Sequence, residues 1–143
     1  MSRRAAGAAA ALVALAVALA LAVGGCGGAS ADLFAVQRTG SAPGARLSMV
    51  VNDAGTVRCN GRKPVDIADA DLLDARQLTR DLASMAKRHL VLAARPGSVF
   101  AYSVRTADGS IRFADTSRPL RPARQRLSLL VLKLARSDCH LSH

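Results

Sequence analysis

The stretch FAYSVRTADGSIRFAD, residues 100–115, decides the fold class of this chain. Apolar side chains alternate with polar ones on both sides of Ala107-Asp108-Gly109, which has the composition of a tight hairpin turn. Period-two alternation is typical of a strand that buries one face. The sequence therefore predicts an antiparallel hairpin whose inward side chains are Phe100, Tyr102, Val104, Ile111 and Phe113.

A second hairpin is predicted nearer the start of the folded part. Apolar and polar side chains alternate over residues 47–52, and residues 56–59 form the return strand. Between them, Asn52-Asp53-Ala54-Gly55 supplies the residue types that favour a turn. A further strand over residues 33–38 precedes this hairpin, and Thr39–Arg46 separates the two with a loop rich in Gly, Pro and Ser.

Two helices are predicted, one between the hairpins and one near the end of the chain. The first has acidic residues at its start and basic residues at its end, as the helix dipole favours. The second begins near Pro119 or Pro122, because proline is tolerated in a first turn. In the first helix, the acidic start is Asp66, Asp69, Asp71 and Asp74, and the basic end is Lys87, Arg88 and His89. The apolar stripe that it is expected to bury is Ala75, Leu78, Leu82, Met85 and His89. In the second helix, the expected buried stripe is Ala123, Leu127, Leu130, Val131 and Leu134, and Arg124, Arg126, Lys133 and Arg136 lie outside it.

The predicted order is strand–strand–strand–helix–strand–strand–helix, which indicates the α+β class. We expect one antiparallel sheet of about five strands with two helices packed on one face, because each strand has one apolar face. Strands and helices do not alternate as they do in βαβ folds, so a nucleotide-binding parallel sheet is not expected.

The N-terminal segment has the layout of an export signal. Two arginines are followed by an apolar run over residues 5–23 and then by Val23-Gly24-Gly25-Cys26. This exit resembles the lipobox of bacterial lipoprotein precursors, which implies cleavage before Cys26 and a lipid on its thiol. The resemblance implies a signal peptide over 1–25 and a lipid on Cys26 that anchors the protein on the extracytoplasmic side of the cell membrane. We therefore expect a lipidated tether over 26–32, followed by the single α+β domain over 33–143 that the strand and helix patterns predict. An ordinary signal peptide and a retained membrane-spanning helix are the alternatives.

Two cysteines remain once Cys26 carries a lipid. An even pair in an exported domain predicts a disulfide between Cys59 and Cys139. The alternative is a metal site that uses Cys139 with His140 and His143, which stand close together in the sequence. No second ligand cluster lies at zinc-finger spacing, so we predict the disulfide and no metal.

The chain is strongly basic, with 20 Lys and Arg against 10 Asp and no Glu. Such a charge draws a protein to anionic surfaces. The candidate anion-binding residues surround the start of the last helix; the alternative is that they form only its solvated entry. Nucleic acid is not expected as a partner, because the chain has four aromatic residues and no Trp for base stacking. The candidates are Arg118, Arg121, Arg124 and Arg126.

No nucleotide, phosphate or metallopeptidase motif occurs in the chain, and no nucleophile elbow. We therefore predict no enzymatic activity, no catalytic residue and no cofactor. The elements carrying LLDARQLTRDL and FAYSVRTADGSIRFAD, followed by a proline-led helix, resemble emfourins, small bacterial inhibitors of thermolysin-type metalloproteases. That resemblance implies a protein-binding module that inhibits a protease. Independently of the resemblance, the expected contact surface is the loop Thr39–Arg46, because its Gly, Pro and Ser residues have no evident structural role. The other hypothesis is an electrostatic binder of anionic envelope polymers or lipid head groups.

Overall fold

The computed structural model describes residues 30–119 and 121–141. The predicted signal peptide over 1–25, the predicted lipidation site Cys26 and the first residues of the predicted tether lie outside this part of the chain, as does His143. Within the described residues, no helix combines the length and the apolar character needed to cross a bilayer.

A six-stranded antiparallel sheet forms one layer of the protein. The α+β prediction is confirmed, and the strand beyond the expected five is β4, a two-residue strand that pairs with β3. In spatial order the sheet is β4-β3-β2-β1-β5-β6, so the two predicted hairpins lie on either side of β1. The strands are β1 Asp32–Gly40, β2 Leu47–Asn52, β3 Thr56–Cys59, β4 Val65–Asp66, β5 Phe100–Thr106 and β6 Gly109–Ala114.

The first strand lies at the centre of the core. Val36 stands opposite Met49 on β2 and opposite Val104 on β5, and all three are fully buried. Away from this row, inward and outward side chains alternate along each strand, as the sequence periodicity predicts. The β5–β6 turn also packs closely against the first helix: a Cβ on Gly109 would come within 2.3 Å of the Ala86 carbonyl oxygen, so only glycine fits there.

Two helices, α1 (Asp69–Lys87) and α2 (Pro122–Ser137), cover one face of the sheet. The predicted stripe of α1 is confirmed from Ala75 to Met85. Two expectations at its ends are wrong. Asp66 belongs to β4, and His89 is exposed with a φ of 48°, because the helix ends at Lys87 and the chain turns there.

The two helices are joined by ion pairs that use the acids of α1. Asp71 accepts a hydrogen bond from Lys133 at 2.5 Å. Arg126 donates to Asp74 and, at 2.8 Å, to Asp81. These carboxylates, spaced along one side of α1, therefore neutralise two of the cations of α2, in addition to any effect on the dipole of their own helix.

The predicted disulfide is present between Cys59 on β3 and Cys139 just after α2. Its Cα atoms lie 6.0 Å apart, and the two residues are 80 positions apart in the chain. The bridge ties the end of the helical layer to a strand near the sheet's margin. On the chain-entropy model, a loop of this length stabilises the fold by about 4–5 kcal/mol.

The outer edge of β6 is partly covered by the segment that follows α1. The N–H of Leu92 donates to the carbonyl of Arg112 at 2.9 Å, and the N–H of Arg112 donates to the carbonyl of Leu90 at 2.8 Å. This pairing satisfies backbone groups that an edge strand would otherwise expose.

Candidate functional site

The side of the sheet that faces away from both helices is exposed, and we call it the open face. Its residues are the outward positions of five adjacent strands, where small or polar side chains surround a few long ones. None of the strands carries a large apolar side chain at the centre of this surface except Val50, which is half-buried. The open face comprises Ala35, Gln37, Thr39, Ser48, Val50, Asn52, Thr56, Arg58, Ala101, Ser103, Arg105, Ser110 and Arg112.

Three arginines stand on the open face. The strand register places Arg58 and Arg105 in one row, separated by two strands, so their Cα atoms lie about 14 Å apart. Arg112 is diagonally next to Arg105, because Arg105 faces Ser110 and Ser103 faces Arg112. All three side chains are exposed, and none forms an ion pair with a described residue.

Carboxylates approach the open face at only one end. Asp32 lies opposite Asn52, whose amide donates to it at 3.1 Å, and Asp66 lies opposite Thr56. A small depression of about 110 Å³ opens beside Asp32 and Arg58. The rows of the face that contain Arg105 and Arg112 hold no acidic residue, so their positive potential is not cancelled locally.

The loop of residues 41–46 lies at the opposite end of β1 and β2. It is held by Arg38, whose side chain is only 1% exposed. The Arg38 Nε donates to the Ala45 carbonyl at 2.9 Å, and its Nη2 donates to the Gly44 carbonyl at 3.2 Å. The guanidinium also stacks over the Phe100 ring at 5.0 Å. Because a buried cation anchors it, this exposed loop has a defined shape.

The four arginines predicted as an anion site are divided by the structure. Arg118 and Arg121 are exposed, whereas Arg126 is paired with two carboxylates of α1. The hydrogen bond from Arg126 to Asp74 also raises the pKa of Arg126. The four side chains therefore do not present one common cationic surface.

Arg124 differs most from its expected place. It was expected outside the buried stripe of α2, yet it is 3% exposed and its guanidinium lies 5.4 Å from the centre of the Phe113 ring. It donates to the carbonyl of Pro119. Burial, and then repulsion from Arg121, lower the pKa of Arg124. Stacking on an aromatic ring and a carbonyl partner allow the long side chain to fold inward, which helical periodicity alone does not reveal.

Histidines, cysteines and acids do not cluster into a metal site in the described part of the chain. No group of three or more His, Cys, Asp or Glu side chains lies close enough there to hold a metal ion. The His89 Nδ1 lies 3.3 Å from the Ser110 hydroxyl oxygen, and Cys139 is bonded to Cys59 in the disulfide. Asp115 accepts hydrogen bonds from Ser98 and from the backbone N–H groups of Val99 and Phe100, so it fastens the start of β5.

Comparison with protein-family models, curated proteins and solved structures found no match.

The open-face arginines are not among the site residues predicted from the sequence, although the strand periodicity indicated the direction in which they point. Arg105 follows Val104, and Arg112 follows Ile111, in strands whose apolar alternation was already clear. The residue next to an inward side chain must point outward, so both arginines belong to one face of the hairpin. Their isolation from acids was not visible, because it depends on which strands are neighbours.

Proposed function

We propose that this protein is a binding module, not an enzyme, held at the extracytoplasmic face of the cell membrane by a lipid on Cys26. It binds an acidic protein partner through the open face. The observation that carries the proposal is the set of three exposed arginines, Arg58, Arg105 and Arg112, for which the described part of the chain supplies no carboxylate.

The composition of the open face suits a protein partner. Arginine presents a planar fork that matches a carboxylate in a bidentate arrangement, and it is enriched in protein interfaces. Small side chains such as Ala35, Ala101 and Ser103 lie between the arginines, so a flat partner surface can approach the sheet closely. Each exposed contact of this kind contributes about 1 kcal/mol or less, so the three arginines must act together.

The attachment of the chain to β2 supports the proposed anchor. The amide of Asn52 donates to the Ser30 carbonyl at 2.6 Å, and the N–H of Asp53 donates to the Ala31 carbonyl at 2.9 Å. From Ser30 back to Cys26 there are only four residue steps, which span at most about 14 Å. A lipid on Cys26 would therefore keep the end of the sheet that contains Asn52 close to the membrane.

The proposal is tested by photo-crosslinking in intact cells. A photoreactive residue is placed at Ser103, directly opposite Arg112 on the open face, and separately at Leu73, an exposed position on α1. We expect a discrete protein adduct from position 103 and none from position 73. The adduct should be lost when Arg58, Arg105 and Arg112 are all changed to Ser.

A matched charge control separates recognition from general basicity. Changing Arg62, Arg80 and Arg136 to Ser removes the same charge from exposed positions outside the open face. We expect this triple variant to keep the adduct at 103. Equal loss in both triple variants, or crosslinking of position 103 only to anionic polymer or lipid, would contradict a protein partner.

A second function, inhibition of a metalloprotease, is favoured by the geometry of the 41–46 loop. Arg38 fixes the carbonyls of Gly44 and Ala45, so the exposed loop is held in shape before it meets a partner. Preorganisation of this kind reduces the entropic cost of binding. The resemblance to emfourins points to thermolysin-type enzymes as targets.

Inhibition is tested with a panel of thermolysin-type proteases and the native protein. We expect inhibition to be lost when Arg38 is changed to Met, since the loop loses its anchor, and to be kept when the exposed Arg95 is changed to Met. Absence of inhibition across the panel rejects this function and leaves the open-face proposal untouched.

A further inference from the structure

A cleft lies on the helical side of the protein, away from the open face. It is formed where the end of α1 meets the start of α2 and has a volume of about 390 Å³. We call it the arginine pocket, because Arg88, Arg121 and Arg124 all line it. Its walls also include apolar side chains, among them Met85, Leu90 and Leu92.

The buried arginine at this cleft lacks a counter-charge. Arg124 is only 3% exposed, and no described carboxylate forms an ion pair with it. Its Nε atom is buried and has no hydrogen-bond partner among the described residues. A buried cation with an unused donor is unfavourable unless an anion meets it.

The surroundings of Arg124 add to the positive charge. Neither Arg88 nor Arg121 is ion-paired with a described residue, and Arg121 already repels Arg124. Asp81 also lines the cleft, but its carboxylate accepts from Arg126 at 2.8 Å and from Gln77 at 2.7 Å. The carboxylate of Asp81, the single acid of the lining, is thus already hydrogen-bonded to two side chains that do not line the cleft.

The start of α2 has the same polarity. The helix begins at Pro122 with no acidic residue in its first turn and no side-chain hydrogen bond at its N-cap, Arg121. The partial positive charge of a helix N-terminus is therefore not neutralised here, and it favours an anion in the cleft. This effect adds to the buried charge of Arg124, whose Nε has no hydrogen-bond partner among the described residues.

We infer that the arginine pocket binds a small molecule that carries an oxyanion, carboxylate or phosphate, on a short apolar group. The oxyanion is bound by Arg124, Arg121 and Arg88, because guanidinium forks match both kinds of anion. The apolar group lies against Met85, Leu90 and Leu92. This site shares no residue with the open face, so its test is independent of the test of the proposed function.

Calorimetric titration of the native protein, purified from its membrane into nanodiscs of zwitterionic lipid, tests the inference. The probes are hexanoate, hexyl phosphate, 1-hexanol and inorganic phosphate, each corrected with empty nanodiscs. We expect at least one of the two charged apolar probes to bind at least tenfold more tightly than hexanol and inorganic phosphate. Comparison of hexanoate with hexyl phosphate then identifies the anion. Equal binding of hexanol, or no binding of either charged probe, would overturn the inference.

Variants of the same helix provide the second arm. Arg124→Met should weaken the better probe at least tenfold and leave the melting temperature of the ligand-free protein equal or higher, whereas an arginine needed only for packing would lower it. Arg136→Met removes an exposed charge from the far end of α2 and should change the affinity less than twofold. Should Arg124→Met not fold, Arg121→Ser decides, with a threefold or greater loss expected. Unchanged affinity in the folded pocket variants, or an equal loss in Arg136→Met, refutes the site.

Discussion

The helical layer and the open face of the sheet are both rich in basic residues, yet only the helical layer neutralises part of them. Between α1 and α2, Lys133 and Arg126 meet Asp71, Asp74 and Asp81. On the open face, Arg58 and the other two arginines meet none of the described acids.

The difference arises from where the chain places its acids. Four of the ten aspartates stand on α1, and three of these pair with α2. Charges that meet across two helices support the packing of those helices. Charges left alone on a flat exposed surface contribute little to folding. The contrast therefore separates arginines that hold the structure together from arginines that remain available to a partner.

The largest effect is expected where the two layers are joined covalently. Changing Cys59 and Cys139 together to Ser removes the bridge from β3 to the end of α2. We expect a loss of about 4–5 kcal/mol in the free energy of unfolding, because the unfolded chain regains the freedom of a long loop. Chemical denaturation with and without reductant measures it. If the wild-type protein has the same free energy of unfolding with and without reductant, the disulfide does not have this role.

Truncation of apolar side chains should separate the two faces of the sheet. Leu82 on α1 is fully buried, and Leu82→Ala is expected to cost about 2–5 kcal/mol through lost contacts and a cavity. Val50 on the open face is half-buried, and Val50→Ala should cost about 1 kcal/mol or less. Urea unfolding of both variants gives the comparison. Equal costs would mean that the open face is covered in the native protein.

Removal of single arginines should distinguish paired from unpaired cations. Arg126→Met leaves Asp74 and Asp81 without their partner, so the melting temperature should fall. Arg105→Met breaks no ion pair and should leave the melting temperature within experimental error. Salt at 1 M should reduce the difference between the variants, because it screens exposed ion pairs. A larger fall for Arg105→Met would show that the open face contributes to folding.

The smallest effect is a pH dependence at Asp115, an acid that is held by N–H and O–H donors and not by a cation. Burial raises the pKa of Asp115, but the hydrogen bonds from Ser98, Val99, Phe100 and Thr116 outweigh it, so the pKa lies below its ordinary value of 3.8. A lowered folded-state pKa gives stability above pH 3.8 that is lost as the pH falls through the folded value.

Asp115→Asn should therefore melt at a lower temperature than the wild type near neutral pH. The gap should narrow as the pH falls below 3.8. Melting curves between pH 2 and 6 measure this gap. A gap that stays constant over that range would mean that the carboxylate's charge plays no part.

Local patterns predicted most of the elements. Period two over residues 100–115 gave both strands of the last hairpin, and the stripe from Ala75 to Met85 gave the buried side of α1. The two-residue strand β4 was missed because Val65 and Asp66 carry no periodicity of their own and pair only through β3. His89 fits the helical spacing, but the helix ends at Lys87. The apolar spacing alone did not reveal this boundary.

The candidate sites were harder to foresee than the elements that carry them. The clustering of Arg118, Arg121, Arg124 and Arg126 in sequence suggested one cationic surface. Their side chains have different environments, because Arg124 stacks on Phe113 and Arg126 pairs with Asp74 of α1. Arg58 and Arg105, far apart in the chain, come into one row only after β1 lies between the two hairpins.

By itself, the sequence determined the α+β class, the two hairpins, the helical stripes and the cysteine pair, because these depend on residue type and spacing along the chain. Only the tertiary structure decided which arginines are buried, which are paired and which stand unpaired on the open face. Hydrophobic periodicity records whether a side chain points inward, whereas the fate of a charge depends on which distant segment lies opposite it. That neighbour is chosen by the packing of the whole chain.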